Sequence, residues 1–125
     1  MSPPDEPTAH TVVDPSTLEG LRALRRPGQP DPVTRLVDVF RRETEARLEA
    51  LRSAATRRDA REVERLAHAQ KGSSGSVGAN ALFELARDLE RQAISGDLDG
   101  IDEQVAAWDR ALARTMQEFD RFNSQ

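Results

Sequence analysis

The spacing of apolar residues restricts this chain more than any other feature. Leu98, Ile101, Val105, Trp108, Leu112, Met116 and Phe119 follow one another at intervals of three and four, the repeat that lines up side chains along one stripe of an α-helix. The same repeat runs through Val33, Leu36, Val37, Phe40, Thr44, Leu48, Leu51 and Ala55. It continues in Val63, Leu66, Ala67 and Val77, and again in Leu82, Leu85, Ala86, Leu89 and Ala93. Four long helices with one apolar stripe each must bury those stripes against one another. Short connections make successive helices antiparallel, so the sequence predicts an all-α fold: an antiparallel up-down-up-down four-helix bundle.

Helix signals set the expected boundaries. Asp14-Pro15-Ser16 starts a short additional N-terminal helix with Leu18, Leu21 and Leu24 on one side, ending before Pro27. Residues 26–32 hold three prolines and a glycine and read as a loop. Asp59 caps the third helix with Glu62 three residues later, as in a capping box, and that helix runs to about Gly78. Asn80 is the expected cap of the next helix, Gly96 its end, and the last helix is expected to start near Asp97. Residues 1–13, with Pro3, Pro4 and Pro7, carry few large apolar groups and are expected to form a disordered tail, leaving 14–125 as the folded domain.

Composition narrows the function. A chain of 125 residues supports one domain. Without cysteine it has neither disulfides nor thiolate metal sites. The start lacks the basic and apolar segments of a signal peptide, and no stretch is apolar enough to cross a membrane, which suggests a cytoplasmic protein. A net charge of −4 argues against nucleic acid as the partner.

Chemistry concentrates in the segment from Leu66 to Gly78. Gly72, Gly75 and Gly78 stand at a spacing of three inside a helical pattern, although each interior glycine costs about 0.5–1 kcal/mol relative to alanine. At about 100° per residue, Lys71, Gly72 and Gly75 share the face of His68, while Val63, Leu66, Gln70, Ser73 and Val77 point the other way. The histidine therefore projects from the wet face, beside turns stripped of side chains, where a large partner has room to approach. Neutral imidazole is a competent nucleophile near pH 7 and suits carriage of a phosphoryl group. Lys71, the only lysine among 18 basic residues, is placed to pair with phosphoryl oxygens. Arg61 and Arg65 add positive potential on the same face.

Other residues read more plainly. Arg57, Arg58, Arg61 and Arg65 also fit a solvated face paired with Asp59, Glu62 and Glu64. Trp108, Met116, Phe119 and Phe122 keep core spacing. Ser73 and Ser74 read as small packing residues, since no second histidine stands ready to activate them. His10 falls in the tail and does not combine with His68 into a metal site.

Ala67-His68-x-x-Lys71-Gly72-Ser73-Ser74, followed by Val77-Gly78 and a helix with Leu85, Leu89 and Glu90, resembles the phosphorylation-site signature of the histidine phosphotransfer (HPt) domain family. One departure is Gln70, where the family usually carries an aliphatic residue, so an inward amide must find hydrogen-bond partners. The resemblance implies a stoichiometric phosphocarrier and no autonomous kinase activity. His68 would accept a phosphoryl group through Nε2 from a receiver-domain phospho-aspartate and pass it to another receiver. It further implies Lys71 as stabiliser of the phosphoryl group, Gly72 and Gly75 as openings for partner loops, and Glu90 as the group that orients the ring. Expected partners are response-regulator receivers, one of them in a hybrid sensor histidine kinase, with Mg²⁺ held by the receiver and no cofactor in this chain. The free chain is expected to be a monomer. The competing reading is a helical adaptor that binds or sequesters a receiver without being phosphorylated.

Overall fold

Aspartates start three of the helices. The structure, a computed structural model, describes residues 12–124. In α1 (Pro15–Arg22) the Asp14 carboxylate accepts from the Ser16 backbone N–H at 3.0 Å, and in α2 (Pro32–Thr56) Asp31 accepts from Val33 at 2.9 Å. Both helices place proline first, where its missing N–H costs nothing. In α3 (Ala60–Val77) Asp59 accepts from Glu62 at 3.2 Å. Glu62 does not complete the reciprocal capping box; its carboxylate is held by Arg65.

The later boundaries differ from expectation. Asn80 is the first residue of α4 (Asn80–Ile94), capped by the Ala79 backbone with no side-chain bond, because the left-handed Gly78 has already turned the chain. The last helix, α5 (Ile101–Asn123), begins after Gly100 and not near Asp97. Gly96 and Gly100 both take positive φ, and the turn between them leaves Leu98 in a loop, half-buried against the core. Leu24 lies beyond the end of α1 and is 71% exposed.

Among the described residues all regular structure is helical. Each of the four long helices packs on two others: α2 on α3 and α5, α4 on α3 and α5, with α1 laid across α2 and α3. Trp108, Phe119, Leu51, Leu82 and Leu89 are almost wholly buried at the centre, each worth about 1.5–3 kcal/mol of burial for an aliphatic or phenyl side chain. Phe40 meets Phe119 edge-on, with centroids 5.9 Å apart. No helix among the described residues is long and apolar enough to cross a membrane.

One boundary needs correcting. The tail expected over residues 1–13 takes in Val12 and Val13, yet both are buried in the core. Backbone bonds hold them there: Asp14 N–H donates to Gly78 O at 2.8 Å and Ala81 N–H to Val12 O at 3.4 Å. The entering chain thus closes over the α3–α4 corner. The rest of the expected tail, with His10, lies outside the described residues.

Candidate functional site around His68

The site is built on two adjacent helices that run in opposite directions. His68 on α3 meets Glu90 on α4, and seven residues later Gly75 lies beside Phe83. That register puts Arg87 near Lys71 and Ile94 near Glu64, so 83, 87, 90 and 94 form the α4 stripe facing the histidine. Periodicity alone could have located this stripe once Glu90 was chosen, but only its glutamate was singled out from the sequence.

His68 projects outward with its side chain 71% exposed, while Glu90 is only 13% exposed. The two meet at 2.6 Å between Nδ1 and Oε2. The other carboxylate oxygen accepts from the Lys71 ammonium, also at 2.6 Å. Glu90 is therefore shared between a cation and the ring. The Lys71 hydrogen bond holds its carboxyl below the usual range; partial burial opposes this and the bond to His68 assists it. An ionised carboxylate only accepts, so Nδ1 carries a hydrogen, and in the neutral ring the lone pair is then on Nε2. That nitrogen belongs to a ring open to solvent.

The remaining expected residues are arranged around this pair. Arg61, Glu64 and Arg65 line a shallow depression with His68 and Glu90. Arg65 is not free to act as an unpaired cation, because its guanidinium forks onto both Glu62 oxygens at 2.6 and 2.7 Å. Arg61 makes no ion pair among the described residues, and Arg57 and Arg58 reach Asp59 and Asp102. Gly72 and Gly75 are exposed. A methyl group on Gly72 would touch nothing within 4 Å, and one on Gly75 would meet the Phe83 ring at an ordinary 3.7 Å. Intramolecular packing does not require glycine at either position.

Gln70 faces inward, is fully buried and is satisfied. Its amide donates to Thr44 Oγ1 and Ser74 Oγ at 3.0 Å each, and its carbonyl accepts from Arg47 at 3.2 Å. Arg47 also donates to Ser73 Oγ at 2.7 Å, so the two serines serve packing and hydrogen bonding behind the histidine.

A helical protein that offers an exposed imidazole, fixed through its inner nitrogen and flanked by bare backbone, fits the class of histidine-bearing carriers. The model of the Hpt domain matches residues 35–118, well over half the chain, and the chain belongs to that family. It is a histidine phosphotransfer protein of the phosphorelay type. Among solved structures it is similar to the crystal structure of histidine-containing phosphotransfer protein B from Pseudomonas aeruginosa PAO1. The two are 28% identical with a TM-score of 0.78, over 88% of this chain and 92% of the other. No curated protein matches the chain.

Proposed function

We propose that the protein is a phosphorelay intermediate in which His68 Nε2 takes a phosphoryl group from the phospho-aspartate of one receiver domain and passes it to another. The observation that carries this reading is the His68–Glu90 contact, which ties down Nδ1 and leaves the outer nitrogen free on an accessible ring. Transfer of this kind depends mainly on positioning and electrostatics, so a bundle needs no nucleotide pocket to take part. Lys71 lies one turn away and supplies positive charge to the phosphoryl oxygens. Gly72 and Gly75 leave room for the loops of the receiver, and Arg61 adds attraction for its acidic site. Glu90 orients the ring.

The finer reading follows the same line. The four long helices form an antiparallel up-down-up-down bundle, and the chain acts as a monomer in the cytoplasm. It is a stoichiometric carrier and not an autonomous kinase. One partner is a hybrid sensor kinase and the other a downstream regulator, with Mg²⁺ supplied by the receiver.

Incubation with phosphorylated receiver domains tests this directly. Acid-labile, base-stable label should appear on the wild type and be absent from His68→Gln. Receiver binding with no label on either protein would instead establish an adaptor.

A further inference from the structure

Lys71 is already engaged. In the resting protein its ammonium is bound to Glu90, whose other oxygen holds His68, so one carboxylate faces two cationic or potentially cationic groups. On the phosphocarrier reading given above, we infer that phosphorylation of His68 exchanges these partners: Lys71 leaves Glu90 for the phosphoryl oxygens, and Glu90 keeps only the Nδ1 proton of a positively charged ring.

Charge bookkeeping supports the exchange. As the phosphoryl group arrives, the P–O bond of the acyl phosphate breaks and its electron pair stays on the donor carboxylate. The Nε2 lone pair forms the new N–P bond, and the proton on Nδ1 does not move. The ring becomes a phosphoimidazolium, and about 1.5–2 negative charges sit on the phosphoryl oxygens beside it. A carboxylate carries one. The ammonium, on a flexible four-carbon stem one helical turn away, is drawn to the greater charge. Glu90 is thereby released to a ring that now needs its charge more than before.

None of the other charged groups around the ring is bonded to His68 or to Lys71. On α3 they are Arg61, Glu64 and Arg65, with Arg65 forked onto Glu62; on α4 Arg87 lies a turn from Glu90 and is bonded to Asp88. Glu90 is the carboxylate in contact with Nδ1. In the reverse step the ring departs as neutral imidazole, because the proton it needs is already in place. Glu90 is thus a positioning residue that keeps phospho-His68 in its transferable form, and no separate acid is required in either direction.

The sequence provides a clean probe. Lys71 is the only lysine, so lysine labelled with ¹⁵N at Nζ gives a single side-chain ammonium signal. Phosphoramidate phosphorylates accessible histidines without any receiver, and His68→Gln accounts for label on His10. Before phosphorylation the Lys71 signals of wild type and Glu90→Gln should differ, because only the wild type has the ion pair. Afterwards they should converge, since in both proteins the ammonium is on the phosphoryl group. Signals that stay as far apart as before overturn the exchange. The pH profile for loss of phosphate should also move about one unit to lower pH in Glu90→Gln, because a neutral amide holds the ring proton less firmly than a carboxylate. Coincident profiles overturn the role given to Glu90. Equal labelling of His68→Gln and wild type would defeat the phosphocarrier reading itself, a result distinct from either of the others.

Discussion

The Gln70 amide on α3 donates to the Thr44 hydroxyl on α2 at 3.0 Å, deep in the interface between the two helices. Both side chains are fully buried, and Arg47, Ser73 and Ser74 complete the network around them. In a low-dielectric interior such a network stabilises only while every member is paired.

Removing one member should therefore cost more than removing several. Gln70→Leu fills similar space but strips partners from Thr44, Ser74 and Arg47, and is expected to destabilise the fold by about 1–3 kcal/mol. The triple change Thr44→Val, Gln70→Leu, Ser74→Ala should recover most of that loss, since few buried groups are then left unpaired. Urea denaturation of the variants decides the matter. A single substitution as stable as wild type would show that the network contributes nothing.

Glycines at the docking face should reveal a conflict between stability and transfer. Alanine at Gly72 and Gly75 meets at most an ordinary contact with Phe83 and removes a helix penalty of about 0.5–1 kcal/mol per site. The double variant is expected to melt higher than wild type. Its transfer from a phosphorylated receiver should be slower all the same, and a bulkier residue at Gly75 should slow it further. Unchanged transfer would mean that the bare backbone is not used by the partner.

Gly78 answers to a different constraint. Its φ is +76°, and a Cβ there would lie 2.9 Å from the Asp14 carbonyl oxygen. The left-handed backbone alone costs a non-glycine residue about 1–2 kcal/mol, and the clash would push away the segment that carries Val12 and Val13. Gly78→Ala should lower the melting temperature well below that of Gly72→Ala, although both replace a glycine of the same repeat. Equal melting temperatures would contradict the packing described for the α3–α4 corner.

These contrasts show what the sequence could and could not disclose. The apolar stripes of four helices were legible, because a period between three and four persists through each of them. Asp14 and Asp59 likewise announce helix starts through short-range chemistry. The partners of Gln70 were not legible, since Thr44 and Arg47 lie 26 and 23 residues away on another helix. The burial of Val12 and Val13 was not legible either, because two valines after a proline-rich stretch give no periodic signal and their burial depends on a corner formed much later in the chain. Spacing placed His68, Lys71 and the glycines on one face. Glu90 came from family resemblance alone, and its shared hold on His68 and Lys71 emerged only in three dimensions.

Acid titration isolates that shared carboxylate. The Lys71 hydrogen bond, helped by the one from His68, lowers the folded carboxyl below its ordinary 4.5. A group depressed in this way contributes its stability above the unfolded value, and that contribution is lost as pH falls through the folded value. Wild type should therefore lose stability on acidification below about pH 4.5 more steeply than Glu90→Gln, whose amide does not titrate. The difference between the two proteins should shrink as pH falls below that value. Folding free energies from urea titrations across the acid range provide the comparison. Parallel acid limbs would mean that the carboxyl gains nothing from its two partners on folding, and would overturn its hold on the histidine.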